Sequence, residues 1–302
     1  MASKWRLCIL AAVALQAHTI AAQDLEPRAY SVSPQGINFL VLGFNRSSGD
    51  VSFDPALPIE DANATLHAGV LGYVRSIDFL GRSANVGLVV PYVWGTLEGF
   101  VYDQFQSGRR SGLGDPAARF SVNLYGAPSM DREEFALYHQ GFTLGASLVV
   151  SAPLGQYDSR RLVNIGDNRW SAKPEIGLSQ RLGKWYLDLY LGSWFFGPNN
   201  DLQGKTRRQD PMPSAQIHVS YSFTRRLWAG FDANYYTGGR TSLNGITHAD
   251  YQRNSRVGAT LAFPVTKHQS AKVSISKGAV TNIGGNFTQL SVAYQYFWGG
   301  GM

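Results

Sequence analysis

The chain has 302 residues, a single cysteine, a formal net charge of +6 and 16% charged residues, so neither a disulfide-stapled fold nor a charge-rich disordered chain fits it. Its 33 glycines, 15 tyrosines, 16 phenylalanines and 7 tryptophans point instead to an exported all-β protein. Scattered basic residues, with no concentrated patch, argue against a nucleic-acid partner.

Residues 1–22 open with Lys4 and Arg6, continue through an apolar run and end in Ala21 and Ala22 ahead of Asp24. That order predicts a cleaved secretory signal peptide, leaving residues 23–302 as one domain. Removal of Lys4 and Arg6, with no acid in residues 1–22, lowers the formal charge from +6 to +4. After the leader no apolar run reaches 18 residues, so the chain offers no membrane-spanning helix.

The mature part alternates with period 2. Ala118, Phe120, Val122 and Leu124 oppose Arg119, Ser121 and Asn123; Phe142, Leu144, Ala146, Leu148 and Val150 oppose Thr143, Gly145 and Ser147. Trp170, Ala172, Pro174, Ile176 and Leu178 oppose Arg169, Ser171, Lys173, Glu175 and Ser179, and Ile217, Val219 and Tyr221 oppose His218 and Ser220. Alternation of this kind places the two sets on opposite faces of a sheet. Twelve strands follow, near 37–44, 62–76, 83–97, 115–125, 141–153, 169–180, 184–196, 212–223, 227–237, 255–264, 271–280 and 287–298.

Short connections (IDFLGR, RLGK, TRR, VTKHQS) alternate with long ones near 45–61, 98–114, 154–168, 197–211 and 238–254; residues 126–140 are a longer exception holding the best helical candidate, 128–140. An even number of strands with short turns at one rim and long loops at the other predicts a transmembrane antiparallel up-and-down β-barrel of 12 strands in a bacterial outer membrane. Aromatics at strand ends, among them Trp170, Trp185, Tyr221, Phe223, Tyr296 and Trp298, fit interfacial girdles. The final strand, FTQLSVAYQYFW, is similar to those recognised by outer-membrane assembly machinery, though GGGM follows it.

The polar faces then line a lumen. Expected solute-contact residues there are Arg119, Arg169, Lys173, Glu175, Tyr186, Asp188, Tyr190, Asp232 and Arg256, with Arg75, Lys272 and Trp194 also turned inward. A lumen of Ser, Thr, Asn and charged residues would sort solutes by size. His218 and Ser220, two apart on one face, are the sharpest catalytic candidates, because a nucleophilic hydroxyl needs a base within reach. Their inward direction favours a polar lining instead. No catalytic residue, cofactor or metal is expected; the six histidines are dispersed.

Four segments, FDPALPIEDANATLHAGVLGYVRSIDFLGRSANVGLVVPYVWGTLEG, GLGDPAARFSVNLYGAP, SAPLGQYDSRRLVNIGDNRWSAKPEIGLSQ and NSRVGATLAFP, resemble the outer-membrane family labelled "putative meta-pathway of phenol degradation", whose members are often called transporters. The resemblance spans nearly the whole mature chain. It implies an outer-membrane barrel associated with uptake of small aromatic or hydrophobic compounds, and carries over no functional residues. The expected activity is that of a non-enzymatic monomeric channel meeting membrane lipid, lipopolysaccharide and a small solute. The alternatives are a lipid hydrolase using His218 and Ser220, or an adhesive barrel acting through its surface loops.

Overall fold

The computed structural model describes residues 25–52, 59–101, 103–161 and 164–299. Residues 1–24, which include the expected leader, and the last three residues lie outside them. Strands run in chain order as β1 (Ile37–Ser52), β2 (Ile59–Phe79), β3 (Arg82–Val101), β4 (Gln104–Leu113), β5 (Ala117–Tyr125), β6 (Phe142–Ser151), β7 (Ser171–Leu182) and β8 (Trp185–Phe196). They continue as β9 (Asn199–Leu202), β10 (Lys205–Gln209), β11 (Met212–Ser222), β12 (Trp228–Gly238), β13 (Thr241–Leu243), β14 (Ile246–Thr247), β15 (Gln252–Thr266), β16 (Gln269–Val280) and β17 (Gly284–Gly299). A short helix, α1 (Arg132–Leu137), carries a capping box at Asp131 and Glu134 within the predicted helical stretch.

All barrel pairings are antiparallel, and β1 closes the ring by pairing with both β2 and β17. Thirteen strands make twelve staves, because β4 and β5 lie end to end along β3. The break between them falls at Gly114, Asp115 and Pro116, where proline has no N–H to give the ladder. The Asp115 carboxylate instead accepts from the backbone N–H of Gly155 and of Asp167, each at 2.7 Å, and fastens the loop after β6 to this point of the wall. Closure removes the exposed sheet edges that a flat sheet of these strands would offer, save along β4, which among the described residues is laddered to β3 alone.

The two long connections expected near 45–61 and 98–114 are largely strand. β1 continues to Ser52, and β3 and β4 form a ladder up to Val101 and Gln104, with residues 53–58 and 102 outside the described set. Beyond the apolar belt both faces meet water, so alternation fades from the sequence while the backbone ladder goes on. The connections around 197–211 and 238–254 are likewise ordered, as a four-stranded sheet of β14, β13, β10 and β9.

The outward set is apolar and exposed, as Leu42, Leu71, Leu88, Ile176, Leu191, Ile217 and Phe231 show. Cross-strand register then carries the inward face around the ring. His218 pairs with Asp188 and Asp188 with Ser179, while Ser147 lies opposite both Glu175 and Ser121. From there Ser121 meets Asn85 and Asn85 meets Ser76. Arg75 is a correction: it shares the outward face with Leu71 and Tyr73 and is exposed, near the short-turn rim where an outward charge can reach water.

Candidate functional site

Residues 25–36 do not hang outside the barrel; they enter its interior and are gripped side chain by side chain. Tyr30 is 2% exposed and lies edge-on to Tyr190, ring centroids 5.1 Å apart. Its hydroxyl donates to Glu175 Oε1 at 3.3 Å and shares a 3.1 Å hydrogen bond with Ser147 Oγ. Glycine makes the socket possible. A Cβ added at Gly145 or Gly177 would fall 2.1 or 2.0 Å from a Tyr30 ring carbon.

Arg28, held at φ 61°, gives its Nε to Ser220 Oγ and Nη2 to Ser222 Oγ, each at 2.9 Å, and its backbone N–H to Asp188 Oδ2 at 3.3 Å. Its guanidinium sits 4.2 Å over the Tyr186 ring and 4.4 Å over that of Trp228. The Ala29 N–H donates to the Tyr190 hydroxyl at 3.0 Å. Glu26 forms an ion pair with Arg119. The guanidinium beside it is the main reason the Glu26 carboxyl titrates well below the usual carboxylate range.

Behind these contacts lies a polar wall. Glu175 accepts from Gln216 Nε2 at 3.3 Å and pairs with Lys173 at 2.6 Å, with Arg119 3.9 Å away. His218 Nδ1 is 2.7 Å from Asp232 Oδ1, and Thr260 donates to Asp232 Oδ2 at 2.7 Å. Such pairing is what permits charged side chains to be this deeply buried.

The nine expected lumen residues therefore face inward, but seven of them act together and two stand apart. Arg119, Lys173, Glu175, Tyr186, Asp188 and Tyr190 surround the N-terminal segment, with Asp232 behind His218. Arg169 lies nearer the long-loop rim, donating to Gln209 Oε1 at 2.6 Å over the Phe196 ring. Arg256 Nη2 donates to Ser276 Oγ and to the Phe287 carbonyl. Trp194 joins Met212 and Tyr236 in a buried cluster. His218 and Ser220 form no nucleophile–base pair: Asp232 holds His218 Nδ1, the remaining ring nitrogen Nε2 makes no hydrogen bond to Ser220, and Ser220 Oγ accepts from Arg28 Nε. Among the described residues no cluster of His, Cys, Asp and Glu is placed to hold a metal.

The expectation of a uniformly polar lumen is corrected on one side. Inward positions of β1, β2 and β3 are Phe39, Val41, Gly43, Val70, Gly72, Val74, Gly87, Val89 and Val93. A Cβ on Gly72 would touch Val41 and Val89, one on Gly43 would meet Val70, and one on Gly87 would meet Val74, which places these valines on a shared surface. Val89 is 38% exposed, so side chains do not fill the interior beside it. The interior has two halves: a polar arc occupied by residues 25–30, and an apolar stripe facing it.

Sequence reasoning missed Glu26, Arg28, Tyr30 and the glycine socket. EPRAYSVSPQG has no periodicity, and an isolated inward glycine reads as any strand glycine does.

Among solved structures, the chain is similar to an outer membrane channel from Pseudomonas putida F1, with TM-score 0.78 and 20% identity over 91% of this chain and 100% of that one. It is also similar to the transport unit of the autotransporter AIDA-I from Escherichia coli (TM-score 0.53, 11% identity, 91% and 92% covered). A third likeness is to the β domain of the Bordetella autotransporter BrkA (TM-score 0.51, 12% identity, 87% and 99% covered). These likenesses concern the fold. No curated protein matches the chain. The family model described as "Putative MetA-pathway of phenol degradation" matches residues 44–297, and the chain belongs to that family.

Proposed function

We propose that the protein, delivered by a cleaved leader at residues 1–22, sits in the bacterial outer membrane as a non-enzymatic channel for small aromatic or hydrophobic solutes. The observation that carries this reading is the two-sided interior. A uniformly charged lumen would favour water and ions over an aromatic ring, whereas the stripe of Phe39, Val41, Val70, Val74 and Val89 offers an apolar track. Solute would move along the stripe while residues 25–30, held to the polar arc, narrow the passage. Arg119, Lys173 and Tyr186 keep part of their surface exposed beside the segment and are the proposed solute contacts, whereas Tyr190, 0% exposed beneath Ala29 and Tyr30, is closed to a solute while the segment is seated.

Family membership and the resemblance of the fold to an outer membrane channel support the reading. Uptake of a labelled monoaromatic hydrocarbon by cells with and without the gene tests it. Faster uptake with the gene is the expected result; equal uptake, with the barrel shown to be present in the outer membrane, would overturn it.

A further inference from the structure

The outer wall carries a second feature, unconnected with the lumen. Following the register across β1, β2, β3 and β4, outward side chains form successive rows. Phe44, Gly69, Tyr92 and Leu113 make an apolar row. The next row toward the long-loop rim is Arg46, His67, Trp94 and Ser111, and the one after it Ser48, Thr65, Thr96 and Arg109. An apolar belt thus gives way to a band of hydroxyls, rings and two exposed arginines.

A groove of about 370 Å³ opens in this band, lined on its outer side by Thr65, His67, Trp94, Thr96, Arg109 and Ser111. Its floor is aromatic. Phe44, His67 and Trp94 form a triangle of rings, with the His67 centroid 5.9 Å from that of Phe44 and 5.5 Å from that of Trp94 and Phe44 6.1 Å from Trp94, and Tyr92 lies against Trp94. Ser48 and Thr65 share a hydrogen bond of 3.1 Å at its edge, and Arg46 stands in direct register with His67.

We propose that this groove holds the phosphorylated sugar head of an outer-leaflet glycolipid of the lipid A type, with a sugar ring against Trp94, one phosphate at Arg109 in the lining and the other at Arg46, three strands away beyond His67. Three features select that occupant. Exposed guanidiniums take phosphate through paired charge-assisted hydrogen bonds. A row of hydroxyls beside a ring face matches a hydroxylated sugar, which has both polar edges and an apolar face. The rows change from apolar to polar where acyl chains end and head groups begin, and the groove lies on the lipid-facing wall, where a solute in transit through the lumen does not pass. The inference rests on the outer-membrane placement proposed above.

The test is binding of purified bis-phosphorylated lipid A to the detergent-solubilised full chain, followed by native mass spectrometry. Arg46→Ala with Arg109→Ala is expected to weaken binding by about tenfold or more, as is dephosphorylating the lipid. Trp94→Leu is expected to weaken it by a smaller factor, and phosphatidylglycerol to compete poorly. Arg225→Ala, an exposed arginine at the other rim, is expected to leave binding unchanged and serves as the control. Wild-type binding in the doubly substituted barrel, equal competition by phosphatidylglycerol, or an equal loss in Arg225→Ala would each overturn the proposal. Heat-modifiable gel mobility verifies that each variant is folded. Membrane fractionation tests the placement separately: a protein absent from the outer membrane removes that reading, whereas an unselective wall on a correctly placed barrel removes this site alone.

Discussion

Gly177→Ala is the sharpest probe of how the N-terminal segment is held. The new Cβ would lie 2.0 Å from Tyr30 Cε2, far inside van der Waals contact, and β7 cannot retreat because its backbone is laddered to β6 and β8. The Tyr30 ring must leave its socket. Its departure exposes a side chain now 2% accessible, breaks the edge-to-face contact with Tyr190 and removes the hydroxyl from Ser147 and Glu175. Losing a buried aromatic costs about 3–5 kcal/mol, and at 1.4 kcal/mol per tenfold that shifts the seated-to-unseated ratio by two to nearly four orders of magnitude, roughly 10²–10⁴. Arg28 and Glu26 keep their own contacts, so the segment is loosened rather than expelled. Amide exchange of residues 25–36 in the folded barrel should accelerate by a comparable factor, and planar-bilayer recordings should show larger or more frequent openings. Tyr30→Ala should give the same phenotype, and the double variant should be no worse than either single one. Wild-type exchange and conductance in a correctly folded Gly177→Ala barrel would refute the account of the socket.

Four further expectations follow from the same geometry. Val74→Asp or Val89→Asp places a carboxylate on the apolar stripe and should slow uptake of an aromatic hydrocarbon by about tenfold or more without lowering ion conductance; unaffected uptake would remove the stripe as the solute path. Asp232→Ala strips both His218 and Thr260 of their acceptor and should cost about 2–3 kcal/mol in urea unfolding, where an unchanged midpoint would show the pair to be idle. Because Arg119 holds the Glu26 carboxyl down to about 2, the pairing stabilises the segment at neutral pH and is lost as pH falls through that value. Arg119→Ala should remove this contribution, so that exchange of residues 25–36 is faster at neutral pH and rises less as pH falls. Ser220→Ala should leave the absence of phospholipid hydrolysis unchanged; hydrolysis by the wild type that vanishes in this variant would return the enzyme reading.

Reading the barrel from sequence worked where one face of a strand meets lipid. Ile217, Val219 and Tyr221 alternate with His218 and Ser220 because hydrocarbon accepts the first set and rejects the second, and that contrast sets inside from outside at Arg119, Lys173, Glu175 and Asp188 as well. Where the contrast vanishes, the reading failed. The ladder of β3 and β4 between Gly95 and Arg110 lies beyond the belt, where Glu98, Ser107 and Arg109 can face outward into water, and it therefore resembled a loop. Arg75 sits at the opposite end of the same belt and was assigned the wrong face for the same reason. On β1 to β3 the failure had a different cause: valines on the inner face and leucines on the outer face give two apolar faces, so alternation cannot tell lumen from lipid.

The N-terminal segment shows a limit of another kind, because its structure is dictated by partners far away in the chain. Arg28 is fixed by Asp188, Ser220 and Ser222, and Tyr30 by Gly145, Ser147, Glu175 and Gly177, at separations above one hundred residues. No local propensity encodes those meetings. They exist only once β6, β7, β8 and β11 have aligned their inner faces, so the segment can dock only on a wall that has already formed. Its grip is then a property of the closed barrel. The seating of Tyr30 should accordingly be among the first interactions lost on mild destabilisation, before the ladders between staves give way.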